Sequence, residues 1–193
     1  WVLLRKGADF EAIGKKYQIS PRLACLIRNR DVIGEEAIER YLNGTISDLY
    51  DGMLMKDADK AIDILKEKIA EEKKIRVIGD YDIDGVNATY ILLEGLERLG
   101  AYVDSDIPDR IGDGYGLNRH LIDRAYDAGI DTIITCVNGI AAANEIAYGK
   151  ELGMTIIVTD HHEIPFDEID GEKIYRLPPA DAVIDPKQKD CVY

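Results

Sequence analysis

Three carboxylates, Asp80, Asp82 and Asp84, stand at alternate positions in Gly79-Asp80-Tyr81-Asp82-Ile83-Asp84-Gly85. Carboxylates this close repel one another, and a cation is the natural way to hold them together in a fold. Two cations about 3.5–4 Å apart are a recurring device for cleaving phosphate esters. A second constellation, Asp160-His161-His162-Glu163, uses two of the three histidines in the chain. Neutral imidazole is a good ligand for manganese, zinc or iron, and its other nitrogen needs an orienting partner. The mixed oxygen and imidazole set suits Mn²⁺, with Mg²⁺ the alternative. Two other readings compete for the triplet. An EF-hand loop starting at Asp80 would need a bidentate Glu at its twelfth position, which is Ile91. A single Asp could instead cap the helix that follows.

Both constellations follow short apolar runs, so the elements that must carry them can be read from periodicity. Strands are predicted at 75–79, 102–107, 132–136 and 155–159, alternating with helices at 86–99, 118–128 and 140–152. This alternation implies an α/β fold, a parallel sheet flanked by helices, with right-handed crossovers. The Asp triplet, the turn Val137-Asn138-Gly139 and the His pair then all fall at strand carboxyl ends, the edge where open parallel sheets bind ligands. Asn138-Gly139 is expected to open the helix at 140, so that its backbone N–H groups could receive a phosphate, although an ordinary tight turn fits as well. Arg110 is a candidate phosphate clamp, with an ion pair to Asp109 or Asp113 as the alternative. Gly112, Gly114 and Gly116 do not make a dinucleotide site, because they lie past a strand and a proline rather than at a strand-to-helix turn.

Upstream, Ser20 and Pro21 form an N-cap and first-turn pair opening a helix to about residue 30; a short helix follows at 35–42 and a longer one at 56–73. Lys15, Lys16 and Arg22 make the first helices basic, which reads as a solvated face before a DNA-binding pair. The expected organisation is a helical N-terminal segment, 1–73, packing on a catalytic core at 74–193.

Composition limits the function classes. The 193 residues are 46% hydrophobic, enough for one domain and an appendage. No stretch approaches the roughly 20 apolar residues that span a bilayer, and the start lacks a signal-peptide pattern; the expectation is a cytoplasmic protein without membrane contact. Cys25, Cys136 and Cys191 are widely spaced and odd in number, which fits reduced thiols rather than a disulfide framework or zinc site. The net charge of −13 is the opposite of a usual nucleic-acid footprint. Residues 1–50 carry 8 basic against 7 acidic side chains, leaving 16 against 30 in the remainder. Bound cations would offset part of that excess, and exposed helix faces hold most of the rest.

Taken together, the motifs resemble the DHH phosphoesterases. Asp160-His161-His162 is the signature of that family, and Gly79 to Gly85 resembles its first motif in the RecJ-type form, that of the bacterial 5′-to-3′ single-strand-specific exonucleases. The similarity extends to Ile107-Pro108-Asp109-Arg110, Gly114-Tyr115-Gly116-Leu117, Asn138-Gly139-Ile140-Ala141-Ala142 and Val183-Ile184-Asp185-Pro186-Lys187, and to Ile19-Ser20-Pro21 and Glu35-Glu36-Ala37 near the start.

The resemblance implies hydrolysis of phosphodiester bonds in single-stranded DNA during repair and recombination, with Mn²⁺ or Mg²⁺ as cofactor and two ions in the complete protein. It implies Asp82, Asp84 and His161 as metal ligands, with Asp80 beside them. His162 would contact phosphate, and Asp160 would orient its neighbours. Single-stranded DNA is the implied partner, alongside replication and repair proteins. There are departures. Val137 stands where the family normally has a ligand Asp that bridges the ions, Asp185 stands where Asn is usual, and the chain stops well short of RecJ-type proteins, as an N-terminal piece would. The expectation is therefore that this chain is inactive as it stands. Two alternatives stay open: a sister phosphodiesterase acting on short oligonucleotides or cyclic dinucleotides, and a binding module without catalysis.

Overall fold

The computed structural model describes residues 6–193. The chain divides into two compact units, residues 1–50 and 51–193. The first holds three helices, α1 (Phe10–Tyr17), α2 (Pro21–Asn29) and α3 (Glu35–Asn43). The Asp9 and Ser20 side chains accept the N–H groups of Ala12 and Leu23 at 2.9 and 3.2 Å, closing the first turns of α1 and α2.

The second unit runs α4 (Ala58–Ala70), β1 (Lys74–Ile78), α5 (Ile83–Arg98), β2 (Tyr102–Asp106), α6 (Arg119–Asp127), β3 (Thr132–Cys136), α7 (Ala143–Glu151), β4 (Thr155–Thr159), β5 (Phe166–Ile169), β6 (Glu172–Tyr175) and β7 (Ala182–Ile184). Strands β2-β1-β3-β4-β7 form one sheet in that order, all parallel, while β5 and β6 pair separately as an antiparallel hairpin. The expected α/β architecture is present, with its helical N-terminal region. The sequence reading grouped α4 with the first helices; the compact-unit division puts it with the sheet, because Ala61 is buried among Ile75, Val77 and Ala182. The hairpin and β7 were not anticipated.

Alternation along the strands builds two cores. Ile75, Val77, Ile134, Cys136 and Ile157 pack on one face with Ala61 of α4 and Leu96 of α5. Ile78, Ile133, Ile156 and Val158 pack on the other with Leu121, Ile122 and Ala125 of α6 and Ile146 of α7. Burial on both faces explains why these strands read as continuous apolar runs. No helix among the described residues is long and apolar enough to cross a membrane.

Strand order decides where a ligand can sit. From β1 the chain crosses to β2 on one side, then returns over β1 to β3 on the other. The connections on either side of β1 and β3 therefore diverge, opening a crevice at their carboxyl ends, the switch point at which doubly wound sheets bind ligands. Asp80 follows β1 and Val137 follows β3, so two of the sequence motifs flank that crevice.

The fully buried Ile146 anchors α7 to the sheet. Ile146→Ala is expected to cost about 2–5 kcal/mol in urea denaturation. Ile111, 96% exposed, provides the control, with Ile111→Ala changing stability by under about 0.5 kcal/mol.

Candidate metal centre at the carboxyl edge of the sheet

The loop after β1 is shaped by its two glycines. A Cβ on Gly79 would lie 1.9 Å from Thr89 Oγ1, and one on Gly85 would lie 2.5 Å from the Asp80 carbonyl oxygen. Their absence lets α5 dock against the strand end and fixes the course of the three aspartates. Asp82 is the N-cap of α5, its Oδ1 accepting the Gly85 N–H at 2.8 Å, so the capping role considered from sequence falls to this residue and uses one oxygen. Asp84 is exposed in the first turn of α5. The helix begins at Ile83 rather than Val86, which moves Asp84 from the strand end onto the helix.

Asp80 differs from both. It is 0% exposed, and neither carboxylate oxygen accepts a hydrogen bond of good geometry, the Tyr81 amide being the backbone donor that acts on it. Burial pushes its pKa up, reinforced by the Asp82 charge and opposed by the Tyr81 amide, His162 and Arg110. A buried carboxylate without donors is costly unless a proton or cation joins it. The residues therefore fit a divalent cation, with both oxygens of Asp80 free to face it.

At the end of β3, Val137 has φ 62°, the left-handed region, where a β-branched residue is strained. Strand β3 itself is intact through Cys136, but the turn after it imposes on Val137 a conformation that Asp or Asn adopts more readily. Asn138 is 2% exposed and turned inward. Its Nδ2 donates to the carbonyls of Ile78, Gly79 and Cys136 at 3.2, 2.9 and 3.0 Å. Gly139 follows, but the helix does not start there. Residues 140–141 form a turn and α7 begins at Ala143, so Asn138-Gly139 does not open a helix. The Ile140 N–H is held by Asp160 Oδ2 at 2.9 Å, which ties this turn to β4 instead.

The end of β4 carries the histidines. Asp160 Oδ1 accepts the backbone N–H groups of His161 and His162 at 2.7 and 3.1 Å and lies 2.7 Å from His162 Nδ1. That last contact holds the imidazole with Nδ1–H toward the carboxylate and Nε2 toward the crevice. The rings of His161 and His162 stack with centroids 4.7 Å apart. Ligand atoms of Asp160, His161 and His162 lie within 4.8 Å of one another, a spacing that could hold an ion.

Tyrosines connect the strand ends. Tyr115 Oη is 3.3 Å from His162 Nε2 and 3.5 Å from the Val137 carbonyl oxygen. Its ring meets that of Tyr81 edge-on at 6.1 Å, and the Arg110 guanidinium lies over Tyr81 at 5.2 Å. Neither acidic partner considered for Arg110 takes it: Asp113 pairs with His120 and Arg124, while Asp109 accepts the Ile111 and Gly112 N–H groups. Beside this row, a pocket of about 230 Å³ is lined by Tyr115, Gly139, Ala142, Glu145, Asp160 and His162, among others.

Two residues named in the sequence motifs had been given no part in the site. Tyr115 sits between Gly114 and Gly116, both at positive φ, so the backbone there bends tightly and presents the ring to the crevice. Asp185 ends β7, fully buried with Oδ2 unpartnered. The rule that found Asp80, an apolar run followed by Asp, also applies to Ala182-Val183-Ile184-Asp185.

A parallel α/β domain that gathers buried carboxylates and paired histidines at a switch point has the makings of a metal-dependent phosphoester site. The chain belongs to the DHH family, with residues 74–192 matching the family's N-terminal domain. It is 37% identical to the single-stranded-DNA-specific exonuclease RecJ of Bacillus subtilis (strain 168), over 100% of this chain and 24% of that protein. It is 31% identical to RecJ of Escherichia coli (strain K12), over 98% of this chain and 31% of that protein. Among solved structures, exonuclease RecJ bound to manganese matches with a TM-score of 0.64 and 32% identity, over 75% of this chain and 35% of that one. RecJ of Thermus thermophilus in complex with Mn²⁺ matches with a TM-score of 0.64 and 27% identity, over 99% and 25%. The chain thus spans about a quarter to a third of these relatives.

The left-handed backbone at position 137 makes a prediction independent of metal. Val137→Asn should raise the unfolding free energy of the metal-free protein by about 1 kcal/mol, whereas Val137→Ile should not. Urea denaturation of the three proteins side by side tests this. No gain from Asn would mean the left-handed conformation carries no strain for valine.

Proposed function

We propose that this chain forms part of a metal-dependent exonuclease that hydrolyses phosphodiester bonds of single-stranded DNA in the 5′-to-3′ direction, acting in the cytoplasm in DNA repair and recombination. The observation that carries the proposal is Asp80, buried with both oxygens unpartnered beside a carboxylate–histidine group at the switch point. The similarity to the RecJ exonucleases supports the substrate class.

In this reading, Asp80, Asp82, Asp84 and His161 hold divalent cations, Mn²⁺ or Mg²⁺, two in the complete protein. When bound, such ions supply Lewis acidity toward the phosphodiester and toward the attacking water. Asp160 fixes the His162 ring, and the imidazolium form would donate its Nε2–H to a phosphate oxygen in the crevice. Tyr115 holds that nitrogen from the far side until substrate arrives. Arg110, poised on Tyr81 and not paired with Asp109 or Asp113, offers a bidentate contact to a second phosphate. The backbone N–H groups of Asn138 and Gly139 serve the same anion. The Asn138 side chain does not, because its amide is spent on strand carbonyls. The exposed ring of Tyr115 and the half-buried ring of Tyr81 suit unpaired bases, which stack on aromatic rings.

Val137 favours a second reading, a binding module without catalysis. Valine offers no lone pair, so the site lacks one carboxylate at the point where β3 meets the crevice. On its own, the chain is expected to leave single-stranded DNA undigested in Mn²⁺. Calorimetric titration is the direct test of the site: Asp80→Asn should weaken Mn²⁺ binding at least about tenfold, and Val137→Asp should tighten it. Equal affinities for the two residue-137 proteins would mean that position 137 does not face the metal. In a protein of the relatives' full length, Val137→Asp should raise nuclease activity by orders of magnitude. Tight binding with no gain in hydrolysis would favour the non-catalytic reading.

A further inference from the structure

Asp185 is placed at the end of β7 much as Asp80 is at the end of β1. The register sets Thr159 opposite Ile184, and the Asp160 N–H donates to the Ile184 carbonyl at 3.0 Å, so Asp160 and Asp185 emerge side by side from adjacent strands. Asp160 is saturated: Oδ2 takes the Ile140 N–H, and Oδ1 takes three contacts from His161 and His162. Asp185 is not. Its Oδ1 accepts the Lys187 N–H at 2.8 Å, while Oδ2 is buried without a partner. The charged groups that act on it are Asp160, Lys187 and His161. Lys187 Nζ is itself engaged by Glu163.

The local fold has no use for the charge. The turn after β7 is closed by Gln188, whose Nε2 donates to the Val183 carbonyl and whose N–H donates to that of Asp185. The one side-chain bond that Asp185 contributes, from Lys187 N–H, could be accepted equally well by a neutral asparagine. A carboxylate here instead sets two buried acids next to each other, an arrangement that costs stability unless a positive charge is shared between them.

We propose that Asp185 belongs to the cation site, contributing its charge and its unpartnered Oδ2 and making up for negative charge that Val137 cannot supply. The inference rests on the reading of the crevice as a divalent-cation site, and the test separates the two. Mn²⁺ titrations would compare the unmodified chain, Asp185→Asn, Asp80→Asn, and Asp185→Asn combined with Val137→Asp, each with thermal unfolding of the metal-free protein.

The expected result is a loss of about 10- to 100-fold in Mn²⁺ affinity for Asp185→Asn. Its metal-free Tm should be unchanged or higher, because a buried repulsion is removed. Adding Val137→Asp should recover affinity. An Asp185→Asn protein that binds Mn²⁺ as tightly as the unmodified chain, while Asp80→Asn does not, would overturn this role and leave the metal site standing. A lowered metal-free Tm accompanying the lost affinity would also overturn it, by making Asp185 a structural residue. Failure of the unmodified chain to bind Mn²⁺ would overturn both readings.

Discussion

Where β1 and β3 part at their carboxyl ends, the carbonyls of Ile78 and Gly79 leave the ladder, and the amide of Asn138 takes both. The same nitrogen also holds the Cys136 carbonyl, so one buried side chain joins the two strands that flank the crevice. Buried carbonyls left open would favour water entry or closure of the gap. With them satisfied, the gap persists, Asp80 stays fixed at its floor, and the turn through Val137 is forced into its left-handed course. The geometry of this edge therefore depends on a residue whose side chain is spent on strand carbonyls rather than turned to the crevice.

The strands were legible because each is a β-branched run buried on both faces, and the helices between them because their apolar positions follow the helical period. The start of α7 was not. Ile140-Ala141-Ala142 has helical composition, yet the Ile140 N–H is claimed by Asp160, which lies 20 residues further on. Such a bond leaves no trace in local periodicity. The inward turn of Asn138 is hidden for the same reason, since its partners at 78 and 79 are remote in sequence. β5 and β6 are exposed along their whole length, and β7 has three residues, too few for a pattern. Within the site, the need of an imidazole for an orienting group was visible from residue types alone, and Asp160 is that group for His162 rather than for the candidate ligand His161. What residue types could not show was how the three aspartates divide, one buried, one capping and one on the helix.

That division has a physical logic. The cap carboxylate of Asp82 spends one oxygen on a backbone N–H and keeps the other, whereas Asp80 has both to offer an ion. The same contrast recurs between Asp160, whose lone pairs are occupied, and Asp185, which keeps an oxygen in reserve. Along the carboxyl edge, acids that organise the loops therefore stand beside buried acids that keep oxygens without a hydrogen-bond partner.

The margins of the sheet put the surplus of acidic side chains in another light. An outer strand offers a row of backbone groups on which a foreign strand can add, the usual start of aggregation. On the β7 side, the Val183 N–H is masked by Asp57 Oδ2 at 3.1 Å, just ahead of α4. On the β2 side, Asp104 is clamped by Arg76 through two bonds of 2.7 Å, which stations charge along the rim. Both borders of the sheet are thus guarded by aspartate. The residue type that lines the carboxyl ends of the strands also covers backbone and anchors arginine along the sheet's flanks.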